Sequence, residues 1–226
     1  MDGYLLVGKP LGISSFGVVA RVRRIISDAK GKKVKIGHCG TLDPAASGLM
    51  ILVIGKYTKK ASEFSKLDKT YIAEITLGLE SSTGDREGEL TRINDKIPSI
   101  QEVQAVLDGF VGEISQVPPA FSAVKVDGQR AYKLARAGKM PELKPRQVTV
   151  HRLQVTDYKY PKLRFTTEVS SGTYIRSLAE DIGQKLGTGA YLSALHRIKV
   201  GNFDIKDALT LEKLNISELE TGVVKE

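Results

Sequence analysis

Gly37-His38-Cys39-Gly40-Thr41-Leu42-Asp43-Pro44-Ala45-Ala46-Ser47-Gly48-Leu49 runs directly into the longest unbroken apolar segment of the chain, Leu49–Ile54. Three glycines, a proline and an aspartate in thirteen residues specify a tight loop, and the apolar run behind it reads as a fully buried strand. On their own, Asp43 reads as a turn former, because Asp-Pro starts turns, and His38 as an ordinary loop histidine.

Upstream, Tyr4–Gly8 reads as a short strand, and Ser14 or Ser15 can cap a helix carrying Val18, Val22, Ile25, Ile26 and Ala29 at helical spacing. Downstream, Thr58–Leu67 reads as helical. Tyr71–Leu77 alternates as a strand, with Tyr71, Ala73, Ile75 and Leu77 on one face. Ser81–Gly88 is a polar loop, and Ile100–Leu107 a helix capped by Ser99. Val117–Pro119 breaks the chain before a basic segment, 120–146, with helical content at Ala131–Arg136. Val148–Val155 and Leu163–Val169 are strands. A strong helix follows over Ile175–Leu186, stopped by Gly187, then a last strand or pair of strands within Leu192–Phe203 and a closing helix at Leu209–Leu214. Helices alternate irregularly with consecutive strands, which predicts an α+β domain around a mixed sheet rather than a doubly wound fold.

The 226 residues carry a net charge of +8, and 41% are hydrophobic, a globular composition. Charge is uneven. Residues 204–226 hold six acids against three bases, so the body before them is more basic than the total. Lys30-Gly31-Lys32-Lys33-Val34-Lys35 and Lys125–Arg146, with seven bases to two acids, concentrate it. Basic loops on a basic body fit a polyanion, nucleic acid first. One cysteine excludes a disulfide framework and, with three histidines, leaves little for a metal site. No phosphate-binding glycine loop occurs, so a nucleotide cofactor has no support. Neither a membrane span nor a signal segment is visible, and a cytoplasmic protein is expected.

The Asp43 loop resembles the signature of the TruB family of tRNA pseudouridine synthases. Four more segments match in order: Gly8-Lys9-Pro10-Leu11-Gly12-Ile13-Ser14-Ser15, Lys69-Thr70-Tyr71, Val117–Lys125 and Ser171-Gly172-Thr173-Tyr174-Ile175-Arg176-Ser177-Leu178. The resemblance implies the pseudouridine synthase catalytic fold, a mainly antiparallel mixed sheet flanked by helices. It is expected as a single catalytic domain over 1–226, with 120–146 as a thumb-like RNA-binding insertion and 204–226 as an acidic helical tail. No C-terminal PUA-type domain is expected.

It also implies the chemistry. Asp43 is the catalytic carboxylate, Arg176 the arginine that pairs with it, and Tyr71 the tyrosine stacked on a flipped uracil. His38 occupies the gap the base leaves or contacts the displaced base, and Leu195 packs near the target. Lys9 and Tyr174 complete the substrate-binding set as supports of the loop, and Lys125, Arg130 and Lys133 are the insertion's phosphate contacts. The family often has Arg where His196 stands, a departure in this chain. The reaction is a redox-neutral isomerisation of uridine 55 in the tRNA T loop, needing neither cofactor nor metal. The expected partner is the T arm of tRNA, met by a monomer without guide RNA or membrane. Two other readings are a guide-RNA-directed synthase of the dyskerin type and a non-catalytic tRNA-folding chaperone.

Overall fold

The computed structural model describes residues 1–224, so Lys225 and Glu226, the end of the acidic tail, lie outside the described residues. The chain forms two compact units, Met1–Tyr71 with Leu195–Glu226, and Ile72–Ala194.

The first unit opens with β1 (Gly3–Lys9) and α1 (Ser15–Lys30), whose N-cap Ser14 accepts the Gly17 N–H. β2 (Ile36–His38) and β3 (Ala46–Ile54) follow, then a 3₁₀ turn (Gly55–Lys60) and α2 (Ala61–Ser65). β4 (Lys69–Leu77) carries the chain into the second unit. There come β5 (Leu79–Ser81), β6 (Leu90–Arg92), α3 (Ile100–Asp108), β7 (Gly112–Gln116), β8 (Lys125–Val126), β9 (Gln129–Arg130), α4 (Ala131–Arg136), β10 (Arg146–Lys159), β11 (Lys162–Val169) and α5 (Ile175–Leu186). β12 (Ala190–Val200) returns to the first unit, which ends with β13 (Phe203–Asp204), β14 (Leu209–Thr210) and α6 (Ile216–Gly222).

In the first unit the strand order is β14-β1-β3-β12, with β2 also on β3 and β13 on β12. β1 is antiparallel to β3, from Gly3↔Ile54 to Lys9↔Gly48, while β3 and β12 run parallel, with Leu195↔Ala46 and Arg197↔Gly48. Leu49 to Ile54 are all buried, as an unalternating apolar run requires of a strand covered on both faces. Leu49, Ile51 and Val53 pack with Tyr4, Phe64 and Val200, and the rings of Tyr4, Phe64 and Phe203 meet at 5.3–5.9 Å. At roughly 1.5–3 kcal/mol per buried aliphatic side chain, β3 is the main anchor of this unit.

In the second unit the order is β12-β4-β11-β10-β7, the β11–β10 and β10–β7 pairs being antiparallel. α3 starts on a Ser99/Glu102 capping box and packs on β10 and α5. Each unit is thus a sheet flanked by helices, and the α+β expectation holds.

Three local expectations are corrected. Leu209–Leu214 is a two-residue strand and a 3₁₀ turn, and the helix lies one element later, where Asn215 caps Ile216–Gly222 by accepting the Glu218 N–H. The acidic tail is therefore only partly helical. Thr58–Leu67 begins as a 3₁₀ turn, with α-helix only over Ala61–Ser65. Of Gly37–Gly48, both ends are strand, leaving Cys39–Ala45 as the loop. Among the described residues no helix is long and apolar enough to cross a membrane.

Candidate active site

Asp43 is half-buried on the loop between β2 and β3. That loop is pinned by backbone on both sides of it. The Ser15 hydroxyl donates to the Leu42 carbonyl and accepts the Leu42 N–H, both at 2.8 Å, so one buried side chain satisfies both backbone groups of one residue. The Gly12 N–H donates to the Pro44 carbonyl at 2.9 Å, and the Ala46 N–H to the Asp43 carbonyl at 3.0 Å. Arg197, 1% exposed, donates from Nε to the Leu49 carbonyl at 2.8 Å, and its terminal nitrogens reach the Gly40 and Thr41 carbonyls at 3.2 and 3.5 Å. Buried carbonyls near a glycine-rich loop need such donors, because an unmet one costs about 1–3 kcal/mol.

Lys9, also buried, donates to the Pro10 and Ile13 carbonyls at 2.9 and 2.7 Å. Burial pushes its pKa down to about 8, the Asp43 charge opposing that and the Arg197 charge adding to it. Lys9 thus holds its own turn and lies within electrostatic reach of Asp43. Tyr71, 8% exposed, is the third residue of β4, and His38 ends β2. Leu195 is half-buried opposite Ala46 in the β12–β3 register, three residues from Asp43. The next residue, His196, shares a hydrogen bond between Nδ1 and the Ser47 hydroxyl at 2.9 Å, and burial lowers its pKa, favouring neutral imidazole. In this chain that position is tied into the strand pair.

The second unit holds Arg176 in the first turn of α5, 7% exposed. Its guanidinium donates to the Thr83 carbonyl at 3.1 Å and the Phe121 carbonyl at 2.8 Å, and faces Asp85 at 3.5 Å. Asp85 is itself oriented, accepting from the Thr83 hydroxyl at 2.7 Å and the Glu87 N–H at 3.0 Å. Glu180, one turn on, is pushed up to about 7 by burial and by the charge of Asp181, against the pull of Arg176. Tyr174, at the N-cap of α5, exchanges two hydrogen bonds with the Gln116 amide, and the Ser177 hydroxyl donates to the Val117 carbonyl. The root of the insertion is therefore stitched to the start of α5. Beyond it, Asp127 and Gly128, both at positive φ, turn the β8–β9 hairpin. Lys125, Arg130 and Lys133 are exposed there, Arg130 also donating to the Ala123 carbonyl.

The structure gathers Lys9, the Asp43 loop and Leu195 in one unit, and Arg176, Tyr174 and the insertion in the other. Sequence reasoning passed over Arg197 and Asp85. Both read as ordinary polar residues, and their partners lie far away along the chain or inside a polar loop. Among the described residues no three His, Cys, Asp or Glu side chains are grouped to hold a metal ion.

The family model for the N-terminal domain of TruB family pseudouridylate synthases matches residues 23–175, and that for the tRNA pseudouridylate synthase B C-terminal domain matches 176–221. The tRNA pseudouridine synthase B of Cupriavidus taiwanensis is 45% identical over 221 residues, covering 96% of this chain and 69% of that protein. Those of Aquifex aeolicus and Borreliella burgdorferi are 43% and 41% identical over 220 residues, covering 96% of this chain and 75% and 76% of theirs. A crystal structure of a Cbf5-Nop10-Gar1 complex contains a chain 30% identical, with a TM-score of 0.72, over 94% of this chain and 53% of that one. With both family models matched across most of its length, the chain belongs to the TruB family of pseudouridylate synthases.

Proposed function

We propose that the protein isomerises uridine 55 in the T loop of tRNA to pseudouridine, acting without a guide RNA. The reading is carried by Asp43, a carboxylate on a loop fixed at its backbone from Gly40 to Ala46, in a member of this family. The target nucleotide must leave its stack before reaction. The N1–C1′ bond then breaks, the uracil turns, and C5 bonds to C1′. The C5 proton is lost and N1 gains one, so atoms and electrons balance with no co-reactant.

A fixed carboxylate serves this step as nucleophile or as counter-charge to the positive charge that develops on the sugar. It needs no reorganisation, because the Ser15, Gly12 and Arg197 contacts hold its backbone before substrate arrives. Arg176 is the family-matched cation for this step, its guanidinium oriented by Asp85. Tyr71 stacks on the uracil and accepts the C5 proton, while His38 and Leu195 contact the displaced base and its surroundings. The basic insertion grips phosphates of the T arm, positioning RNA without reading sequence.

Incubating the purified protein with an unmodified tRNA transcript and mapping pseudouridine tests the reading. Pseudouridine at position 55 with no other component is the expected result. Conversion only when a guide RNA is added, or none at all despite tRNA binding, would refute it. The relatives at 41–45% identity, against 30% for the chain in the Cbf5 complex, favour the stand-alone reading.

A further inference from the structure

The Lys30–Lys35 turn lies at the opposite end of the first unit's strands from Asp43. Asp43 immediately precedes β3, with its carbonyl accepting the Ala46 N–H, whereas Gly55, just after β3, lines an open concavity of about 490 Å³. Lys30, Lys32, Lys33 and Lys35 line the same concavity, with Asp2 and Val34. The eight steps from Ala46 to Ile54 span about 27 Å, and the six steps of β1 from Gly3 to Lys9 about 20 Å, at roughly 3.4 Å per residue for antiparallel strands. Two strands thus place this cluster some 20–27 Å from the catalytic loop.

The turn is held in shape. Gly31 ends α1, the Val34 N–H donates to the Ser27 hydroxyl at 3.2 Å, and the Lys35 carbonyl accepts the Gly55 N–H at 2.8 Å. Ile36 then enters β2 opposite Ile54. Four lysine side chains therefore project from a fixed backbone, and Lys32, Lys33 and Lys35 are exposed. One acid faces them. Asp2 accepts the Lys56 N–H at 2.7 Å, which with the charges of the N-terminus, Lys56 and Lys30 keeps its carboxyl below the usual range, while Asp28 pairs with Arg24. Four ammonium groups against one carboxylate around a concavity on a fixed turn leave a net positive site for phosphate oxygens.

We propose that this cluster is a second RNA-backbone site, distinct from the insertion, which takes stem phosphates of the tRNA about 20–27 Å from the target uridine. The proposal rests on the function proposed above and adds which part of the substrate is held. An A-form RNA stem rises less per pair than the roughly 3.4 Å of a B-form duplex, so such phosphates lie more than ~6 base pairs from the flipped nucleotide. The site therefore makes the enzyme favour a target loop on a long continuous stem.

The test uses the full chain and two hairpins carrying the same T loop, one on a stem of about 4 base pairs and one on about 12. A short stem ends before the cluster and a long one passes it. The triple variant Lys32→Gln, Lys33→Gln, Lys35→Gln changes only exposed side chains, and unfolding in urea checks that its stability is kept. Losing two or three phosphate contacts should flatten the slope of log K against log salt by about 2 on the long stem, at roughly 0.7–0.9 per phosphate. Affinity for that stem should fall about tenfold or more at low salt, and that for the short stem should stay within twofold. An unchanged slope on the long stem, or equal losses on both stems, overturns the proposal. Binding is read separately from pseudouridine formation. A protein that binds the long stem through these lysines yet forms no pseudouridine refutes the catalytic reading alone.

Discussion

Gly48→Ala would place a side chain where two paired strands leave no room for one. Gly48 sits at φ +116 in β3, directly opposite Arg197 in the parallel pairing with β12. A Cβ there would lie 2.3 Å from the Arg197 carbonyl oxygen, 2.5 Å from its nitrogen and 2.9 Å from its carbonyl carbon. All three are backbone atoms of a paired strand, so no rotamer change relieves them, and the strands must part by about 1 Å to restore ordinary contact. Overpacking of this kind costs roughly 1–3 kcal/mol, the unfavourable φ about 1–3 more, and each weakened ladder bond ~0.5–1.5. The expected loss is about 3–6 kcal/mol in urea unfolding. Gly12→Ala is the control. Gly12 is also at positive φ, +83, but a Cβ there meets nothing within 4 Å, so only about 1–2 kcal/mol is expected. Because Arg197 also holds the Asp43 loop, Gly48→Ala should in addition slow single-turnover pseudouridine formation by about 10²-fold, the usual penalty for a 1 Å misplacement. If the two alanine variants fall within about 1 kcal/mol of each other, the close approach of β3 and β12 does not set the loop.

Asp43→Asn should abolish turnover with tRNA affinity kept; activity within about tenfold of the parent, only ~1.4 kcal/mol of barrier, rules out an essential carboxylate. Asp85→Asn keeps the shape but removes the charge facing Arg176, so kcat should fall while KM for tRNA changes less than about threefold, and an equal rise in KM would instead make Asp85 a binding residue. Burial raises the Glu74 carboxyl, but hydrogen bonds from Lys162, Arg164 and Ser193 outweigh it and hold it at about 2. The folded value is the lower one, so this stabilisation is complete above about pH 4.5 and fades as pH falls towards 2. Glu74→Gln should accordingly flatten the fall of the urea midpoint between about pH 5 and 3, and an unchanged profile removes Glu74 from the acid response. Six phosphate contacts from the insertion and the Lys30–Lys35 turn would give a log–log salt slope near −5 for tRNA binding, and a slope near zero would discard the electrostatic argument.

How much of this the chain announces depends on where each residue finds its partners. β3 was legible because six consecutive apolar residues admit no solvent face. α1, α3 and α5 were legible because caps and stops at Ser14, Ser99 and Gly187 frame their periodicity. Leu209, Leu211 and Leu214 imitate a helical stripe, so the sequence pattern places the closing helix too early, while the decisive signal is the Asn215 cap just beyond. β7 and the β8–β9 hairpin were not read out, although Asp127-Gly128 is a hairpin turn signal. Asp43 and Arg176 emerged from family motifs, not from any property of a lone aspartate or helix arginine. Arg197 shows the limit most clearly. Its acceptors are carbonyls 148 to 157 residues away, and nothing local separates it from a surface arginine in a strand.

The stitched root of the insertion has a dynamic consequence. Gln116 bonds both backbone groups of Tyr174, Ser177 holds the Val117 carbonyl, and Arg176 holds the Phe121 carbonyl. Movement of the insertion is therefore confined to the chain beyond Phe121, where short-range contacts such as the Lys125–Arg130 hairpin take over. In hydrogen exchange the Tyr174 amide would be slow and amides of the 140–144 stretch beyond α4 fast, with a sharp step between the two classes. The last carbonyl of the fixed root is one that Arg176 grips, so under the proposed function RNA that draws the insertion down would pull on the guanidinium as well. Substrate capture and the setting of that arginine would then be a single mechanical event, with part of the binding energy converted into alignment instead of affinity.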